Sequence, residues 1–271
     1  MNINPIVLKR INSATKYPSI DTYHAMDSNG VLTDETRVDF GECSVLHVHE
    51  KVDGVNSRII FLPGGEFIIG SRNEFLHFSD DVIYNPASGI VEALKPFARH
   101  MSEKIHVDEN NIIVLYMEVY GKCATPAWKQ YSDDANFVGH VLIDMKVIEL
   151  VDVLMNIDSD VLSSMRENGK IPGWKSSLSI DDFCLAGHVE RAPWTAKIDS
   201  LPTTHEGCLR FLHEMVPNTM VGEKENGKSE GVIVRDIGRN NIAKLRFKDY
   251  ERAVKRKNRT TLIKPKQREK E

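Results

Sequence analysis

The sequence predicts an α+β protein, because short β-strands alternate with a few helices and no internal repeat occurs. Several of these strands are separated by only a tight turn, such as Pro63-Gly64-Gly65 or Gly238-Arg239-Asn240, which indicates antiparallel hairpins. Apolar, β-rich composition predicts seven strands, at residues 44–49, 57–62, 66–70, 112–120, 138–148, 230–236 and 242–247.

Helical periodicity is clearest in two stretches. Five apolar residues of the first share one helical face, namely Ile90, Leu94, Phe97, Ala98 and Met101. Pro96 is expected to kink or break this helix, because proline removes a backbone hydrogen bond. The second helix is predicted over residues 205–216. A polar, helix-like stretch at 158–170 belongs to residues 156–200, which we interpret as an insertion on the main sheet.

Composition is that of a soluble globular protein. The chain has 271 residues, of which 41% are hydrophobic and 27% are charged. It contains no apolar run of 18 residues, so no transmembrane helix is expected, and residues 1–10 lack the features of a secretory signal. Four widely spaced cysteines, Cys43, Cys123, Cys184 and Cys208, favour reduced thiols in the cytoplasm, which would be the host cytoplasm for a viral protein.

The charge is unevenly distributed along the chain. Residues 251–271 contain nine Lys or Arg and three Glu, a balance of +6, so the other 250 residues carry −10 of the total of −4. A basic C-terminal tail on an acidic body could hold a phosphate backbone, although a solvated terminus with no binding role is the alternative. We therefore divide the chain into a domain at 1–250 and a basic tail at 251–271.

The most informative motif is Glu50-Lys51-Val52-Asp53-Gly54, followed by Asn56, between two predicted strands. A lysine that attacks phosphorus must lose its proton near neutral pH, although its free pKa is about 10.4. Burial and a neighbouring cation or metal make this possible. Glycine three residues after the lysine allows close approach of the backbone to a ligand. Taken alone, the motif also fits an ordinary hairpin turn.

Further charged groups occur on the predicted strands. Arg72 follows the third strand, while Glu118 lies within an apolar strand, where a carboxylate is costly to bury without a partner. Glu230 begins another apolar strand. Lys244 and Arg246 have a spacing of two, which puts both cations on the same face of the last strand. One nucleophilic lysine, two carboxylates and three cations are the groups that nucleotidyl transfer requires.

In the order and chemistry of these motifs the chain resembles the covalent nucleotidyltransferases, which comprise polynucleotide ligases and mRNA capping enzymes. The resemblance extends from about Glu50 to Lys248. Glu-Lys-x-Asp-Gly-x-Asn followed by Ser-Arg is most similar to RNA ligases of the phage RNA ligase 2 type. It implies an α+β, ATP-grasp-like nucleotidyltransferase domain, built on antiparallel sheets flanked by helices, with the active site in the groove between the sheets.

The resemblance also implies roles for the first motif. Lys51 would be the nucleophile that forms a lysyl–AMP phosphoramidate. Glu50 would present its backbone to the adenine, with its side chain as a further contact. Asp53 and Gly54 would complete the nucleotide loop, and Asn56 would lie near the phosphate.

The same resemblance assigns the remaining groups. Arg72 would contact the AMP ribose or phosphate, and Glu118 would bind the ribose or a metal. Glu230 would support the catalytic metal. Lys244 and Arg246 would contact the α-phosphate and activate the attack. The cofactors implied are ATP and Mg²⁺, with Mn²⁺ as a possible substitute.

Two features depart from the family pattern. The residue that stacks on adenine is often aromatic, within Phe-Asp-hydrophobic, but here the aligned triplet is Ile143-Asp144-Met145. Phe137, at the head of the same strand, is the nearest alternative. The second departure is that only 23 residues follow Lys248, too few for an OB-fold domain or a helical C-terminal domain. This argues against a capping enzyme or a typical DNA ligase.

Each group also has a purely structural interpretation. Glu118 could pair with Arg58 or Lys244 in the core, and Arg72 could satisfy turn geometry. Residues 222–229 match the P-loop pattern, but they precede a predicted strand rather than a helix, so we interpret them as a turn. His47 and His49 have strand spacing and no third ligand nearby, so we expect ordinary strand histidines rather than a zinc site.

The sequence as a whole therefore predicts an ATP-dependent RNA ligase that joins a 5′-phosphate end to a 3′-hydroxyl end. The expected substrates are RNA ends, including those of nicked duplex RNA or an RNA–DNA hybrid, and the expected state is a monomer without membrane contact. Strand binding is expected in the groove and on the basic tail, with strong salt dependence. The alternatives are a DNA nick sealer, a GTP-using capping enzyme and a non-catalytic nucleic-acid-binding relative.

Overall fold

In a computed structural model of the chain, residues 4–41, 45–78, 89–149 and 156–263 are described. Within these ranges the helices are α1 (Pro5–Thr15), α2 (Ile90–Ser102), α3 (Ser159–Glu167), α4 (Ser177–Gly187), α5 (His205–Met215) and α6 (Phe247–Ile263). The strands are β1 (Asp21–Thr22), β2 (His24–Met26), β3 (Leu32–Thr36), β4 (Leu46–Lys51), β5 (Val55–Phe61), β6 (Phe67–Ser71), β7 (Phe75–Phe78), β8 (Asn111–Gly121), β9 (Val138–Glu149), β10 (Trp194–Ile198), β11 (Gly231–Asp236) and β12 (Ile242–Arg246). The α+β class is confirmed, and each of the seven predicted strands is present; Ser44, the predicted start of the first, and Cys43 lie outside the described residues.

One five-stranded sheet has the order β1-β12-β11-β4-β10. Its strands pair antiparallel except for β1, which lies parallel to β12. The register places Lys51 at the end of β4 opposite Gly231, the first residue of β11. Glu230 immediately precedes Gly231, so pairing of these two strands brings together residues that are 179 positions apart.

The second five-stranded sheet is antiparallel, with the order β7-β6-β5-β8-β9. The register of β5 with β8 places Asn56 opposite Glu118. Residues 52–54 connect β4 to β5, so the chain crosses from the first sheet to the second within the motif that contains Lys51. The pentad therefore contains the end of β4 and the connection from the first sheet to the second.

The second sheet is covered on both faces. Ile59 and Phe61 of β5 pack with α2, whereas Ile60 between them packs with α1 and α3. Successive side chains of a strand point to opposite faces, so a strand buried on both faces is apolar at nearly every position. This explains the continuous apolar runs in the sequence. The first sheet packs one face against α5 and α6, through residues such as Val232 and Tyr250.

The break predicted at Pro96 does not occur, because α2 is assigned as one helix that contains this proline. Pro96 lies on the exposed side of the helix, where water can bond the carbonyl that loses its helical donor. On the opposite side Leu94, Ala98 and Met101 are buried against the sheet. Burial of this face stabilises the helix despite the proline.

The remaining segments extend this frame. Residues 156–200 contribute α3 and α4 and supply β10, which pairs with β4 at the edge of the first sheet. Helix α6 crosses residue 250, the expected end of the domain, and buries Tyr250 and Ala253 against the first sheet and its helices. In the described part of the chain, none of the helices has the length and apolarity needed to cross a membrane.

A buried ionic cluster joins the two sheets. Asp144 of β9 is fully buried and accepts hydrogen bonds from Arg235 of β11, at 3.2 Å, and from Arg239 in the turn after β11. Tyr17 donates to the same carboxylate at 3.1 Å, and the Arg239 guanidinium lies 3.5 Å from the ring centroid of Trp174. Burial by itself raises the pKa of Asp144, but the two arginines reverse this and hold the pKa below its ordinary value.

Asp144→Ala is expected to lower the free energy of unfolding by about 3–5 kcal/mol, because it leaves two buried guanidinium groups without their anion. Urea unfolding followed by circular dichroism measures this change. Asp144→Asn, which retains hydrogen-bonding capacity, should fall between the wild type and Asp144→Ala. Alanine at the exposed Asp182 is the matched control and should change the free energy by about 0.5 kcal/mol or less. Equal effects at Asp144 and Asp182 would contradict a role for the cluster in stability.

Candidate active site

A cavity of about 530 Å³ lies between the two sheets. This volume is in the range of small-molecule sites. The first sheet and the second sheet both contribute polar side chains to its lining, which include Glu50, Lys51, Asn56, Arg72, Glu118, Arg235, Lys244 and Arg246. Eight of the predicted site residues line the cavity: Gly54 and all of those just named except Arg235, which was not predicted.

Lys51 lies at the centre of the charged groups. Its Nζ donates to Glu230 Oε2 at 2.5 Å, and both side chains are largely buried, with exposed fractions of 23% and 13%. Arg246 approaches the other oxygen of the same carboxylate at 3.9 Å and donates from Nε to Asp249 at 2.6 Å. Glu230 is therefore shared by the proposed nucleophile and a cation of the last strand.

Glu118 faces this pair from the second sheet. The backbone of Gly54 and the side chain of Asn56 lie close to its carboxylate and favour the charged form. Burial raises the pKa of Glu118 to about 7, against the opposing effect of the nearby Lys51 and in the same direction as the effect of Glu230. Lys51 and both carboxylates thus lie close enough to influence one another, although they come from different sheets. In the described part of the chain no ion pair links Glu118 to Arg58 or Lys244. The core ion pair that the sequence left open for Glu118 therefore does not form.

Gly54 is required by packing at the junction of the sheets. A Cβ atom at this position would lie 2.3 Å from the carbonyl oxygen of Val119 and 3.0 Å from Cγ of Glu118. Any larger residue would push the loop away from β8. Glycine therefore allows close approach of two backbone segments, rather than only the approach to a ligand that the sequence suggests.

Lys244 is a further cation near Lys51. It lies on β12, half-buried, and is paired in register with Ile233 of β11. Burial lowers the pKa of Lys244, and the positive charges of Arg246 and Lys51 lower it further. The site thus concentrates positive charge, which a bound polyphosphate would neutralise.

Three predicted site residues are held by contacts with other parts of the protein. Asp53 does not line the cavity; its backbone N–H donates to Tyr131 Oη at 2.6 Å, which anchors the loop. Arg72 lines the rim and donates to Ser19 Oγ at 2.6 Å. The Glu50 carboxylate accepts from the backbone of Met220 at 2.8 Å, and burial raises its pKa.

The structure does not bring Phe137 to the cavity. Its ring lies 5.9 Å from that of Tyr120, in an apolar cluster that reaches the cavity only through other members such as Val52 and Ala192. Ile143 lines the cavity instead. The aliphatic residue thus occupies the position at which the family often has an aromatic ring.

Sequence reasoning missed Arg235, Tyr17, Tyr131 and Asp144 as site-forming residues. Arg235 carried a usable signal, because it is a charged residue at the end of an apolar strand that starts beside Glu230. Tyr17 and Tyr131 carried none, since each lies in a loop far from the motifs in sequence. Residues 222–229, which match the P-loop pattern, lead into strand β11 and no helix starts there, as the turn interpretation predicts.

The donor set is compatible with a divalent metal held jointly with a substrate. Among the described residues no three His, Cys, Asp or Glu side chains converge, so these residues by themselves do not form a closed metal site. Glu118 and Glu230 are nearby carboxylates, and the buried Oδ1 of Asn56 has no hydrogen-bond partner in the described ranges. Mg²⁺ is commonly bound by one or two carboxylates together with substrate phosphates and water.

Glu118→Gln is expected to stabilise the metal-free protein, and increasingly so as the pH rises. The pKa of Glu118 is about 7 in the folded protein, above the ordinary value of a glutamate, so the folded state binds the proton more tightly. Stability of the wild type therefore falls as the pH rises through this interval. Urea unfolding at about pH 5 and about pH 8 measures the free energy of unfolding of both proteins. The variant should exceed the wild type by an amount that grows to about 1–3 kcal/mol at the higher pH. Glu103→Gln, at an exposed site, is the control; an equal advantage of Glu118→Gln at both pH values would contradict the assignment.

Comparison with known proteins agrees with this geometry. Two solved structures of Naegleria gruberi RNA ligase mutants have the same fold, each with a TM-score of 0.51. One, with ATP and Mn, is 13% identical, and the match covers 92% of this chain and 63% of that one. The other, an apo form, is 11% identical, with coverage of 90% and 62%. The chain thus spans less than two thirds of the length of these ligases, and no curated protein matches it by sequence.

The family assignment rests on the sequence model. Residues 45–248 match the model of the RNA ligase family, which is more than half of the chain and includes the motifs from Glu50 to Arg246. The matched range covers both sheets of the groove except for β1. The chain belongs to the RNA ligase family.

Proposed function

We propose that this protein is an ATP-dependent RNA ligase that joins a 5′-phosphate end to a 3′-hydroxyl end. The observation that carries the proposal is the position of Lys51, which is paired at 2.5 Å with Glu230 and lines a cavity among four further cations. Membership in the RNA ligase family supports the same reaction. A Naegleria gruberi ligase of this fold, solved with ATP and Mn, supports the choice of nucleotide and the use of a divalent metal.

In the first step Lys51 Nζ attacks the α-phosphorus of ATP. The nitrogen lone pair forms an N–P bond, the bond between the α-phosphorus and the bridging oxygen breaks, and pyrophosphate leaves. Lys51 must first give up a proton, and Glu230 Oε2 is the acceptor at hydrogen-bond distance. Lys244 and Arg246, which line the same cavity, stabilise negative charge on the phosphates.

The next two steps reuse the same groups. An oxygen of the RNA 5′-phosphate attacks the adenylyl phosphorus, the N–P bond breaks and Lys51 recovers a proton. The RNA 3′-hydroxyl then attacks the 5′-phosphorus, loses its proton and expels AMP. The first two steps occur at the adenylyl phosphorus and the third at the RNA phosphorus bonded to it through oxygen, so one cluster of cations can stabilise the negative charge in all three.

The remaining lining residues would hold the nucleotide. Arg72 at the rim is suited to the ribose or a phosphate, while Ile143 provides an apolar surface for the base. Glu118 and Glu230, with the free Oδ1 of Asn56, are the groups that would hold Mg²⁺ or Mn²⁺. The bound metal would neutralise charge on the phosphates.

Three rival functions differ in measurable ways. A DNA nick sealer would accept a DNA 3′-hydroxyl strand as readily as an RNA one. A capping enzyme would form its covalent adduct with GTP rather than ATP. A non-catalytic relative would bind polynucleotide without any adduct, although the buried Lys51–Glu230 pair is a costly arrangement to retain for binding alone.

The setting of the reaction is also part of the proposal. We infer RNA ends as partners, including nicked duplex RNA or RNA–DNA hybrids, and a monomeric enzyme with one domain at 1–250 and core motifs at 50–248. The described cysteines Cys123, Cys184 and Cys208 are free, which supports a reducing compartment such as the cytoplasm.

Lys51→Ala should abolish formation of the covalent adenylate, because no other nucleophile occupies its position. Intact-protein mass after incubation with ATP and Mg²⁺ should increase by one adenylyl group in the wild type and remain unchanged in the variant. Samples with GTP, or treated with pyrophosphate to remove an adenylate already present, complete the measurement.

Lys104→Ala, at an exposed lysine after α2, is the matched control and should be adenylated normally. Glu230→Ala and Lys244→Ala should each reduce adenylation by at least about a hundredfold. An adenylate that persists in Lys51→Ala would overturn the nucleophile assignment, and an adduct with GTP but not ATP would favour a capping enzyme.

A further inference from the structure

A second groove, of about 730 Å³, lies outside the nucleotide cavity. One of its walls is the exposed face of α6, and the other is the turn between β2 and β3, at Asn29 and Val31. The helix contributes Lys248, Glu251, Arg252, Lys255, Arg256 and Arg259, so five of its six lining side chains are basic. A groove with so strong an excess of one sign attracts the opposite charge.

Four of these cations form a single stripe. Lys248, Arg252, Lys255 and Arg259 are spaced by four, three and four residues, which places them on one face of the helix. The buried residues Tyr250 and Ala253 lie on the other face. At 1.5 Å per residue the basic stripe is about 16 Å long. This length matches about five phosphates along one strand of a duplex.

Two cations of the groove contact its opposite wall, whereas the other three are available to bind a ligand. Arg252 donates to the carbonyl oxygens of Asn29 and Gly30, at 3.2 and 3.4 Å, and Arg256 pairs with Asp27 at 2.7 Å. These contacts fix the opposite wall to the helix. Within the described ranges no ion pair or hydrogen bond engages Lys248 or Arg259, and Lys255 has only an exposed pair with Glu251 at 3.9 Å.

The basic stripe begins two residues after the last residue of β12 that lines the nucleotide cavity. Arg246 lines the cavity, and Lys248, two residues further along the chain, begins the groove. The link is rigid, since Arg246 also bonds Asp249 in the first turn of α6. A strand whose end lies at Lys51 could therefore pass directly from the cavity onto the stripe.

We propose that Lys248, Lys255 and Arg259 bind the phosphate backbone of the RNA strand whose end is in the active site. The proposal rests on the proposed ligase function and adds the surface on which the polynucleotide lies. Contacts to phosphates carry no sequence information, so binding at this surface should be independent of base sequence. It should also be strongly salt-dependent, because each phosphate contact releases a condensed counterion.

The test replaces Lys248, Lys255 and Arg259 together by Gln, which removes three charges while keeping good helix formers. The matched control replaces Lys9, Lys104 and Lys170, three exposed lysines elsewhere, in the same way. Fluorescence anisotropy measures binding of a labelled RNA oligonucleotide with a 5′-hydroxyl end, without ATP, over a series of NaCl concentrations. Intact-protein mass with ATP and Mg²⁺ measures adenylation of each variant in parallel.

The stripe variant should bind RNA on the order of tenfold to a hundredfold more weakly at low salt, with a salt slope smaller by about two. The control variant should bind like the wild type, and both variants should form the adenylate. RNA binding of the stripe variant that equals that of the control would overturn the proposal.

Two further outcomes are distinguishable. If no protein forms an adenylate but RNA binding still depends on the stripe, the ligase function fails and the RNA surface stands. If RNA binding is unchanged while binding to vesicles of phosphatidylcholine and phosphatidylserine is lost in the stripe variant, the groove is a surface for anionic membranes and the RNA proposal is wrong.

Discussion

The pairing of Asp144 with two arginines is the interaction on which the active-site groove depends. Asp144 belongs to the second sheet, whereas Arg235 lies on β11 of the first sheet and Arg239 lies in the turn between β11 and β12. All three side chains are buried. If the sheets separated slightly, water could not reach these charges to replace the lost partners. Arg239 adopts a left-handed backbone conformation with φ of 61°, which is unfavourable for a residue with a Cβ and is compensated by these contacts. The cluster thus fixes how the catalytic groups of one sheet face those of the other.

The charge balance of the site follows from this frame. Lys51, Lys244 and Arg246 lie close together on the first sheet. Two carboxylates accompany them: Glu230 pairs with Lys51, and Glu118 approaches from the second sheet. Without nucleotide, Glu230 neutralises part of the positive charge by bonding Lys51. A bound triphosphate supplies several negative charges to the same cations, so it can replace Glu230 as their partner. Exchange of one anion for another gives a physical reason for the concentration of lysine and arginine around the cavity.

Much of this arrangement could be predicted from the sequence, because local chemistry carries the signal. Strands, the hairpin at residues 238–240 and the charged motifs are all short-range patterns, and alternation along β12 correctly places Lys244 and Arg246 on one face. Long-range pairings could not be predicted in the same way. The bonds of Asp144 to Arg239 and of Tyr131 to the Asp53 backbone join residues that are 95 and 78 positions apart, with no pattern linking them. Pro96 shows a different limit, since tertiary burial of one helical face outweighs a local helix-breaking preference.

A crystal structure of the protein after incubation with ATP and Mg²⁺ tests the central claim most directly, which is that the groove fixed by Asp144 positions Lys51 for covalent nucleotidyl transfer. We expect continuous density from Lys51 Nζ to the phosphorus of AMP. The base should lie beside Ile143, and Asp144 should remain bonded to both arginines. AMP bound outside this cavity, or attached to a residue other than Lys51, would contradict the account.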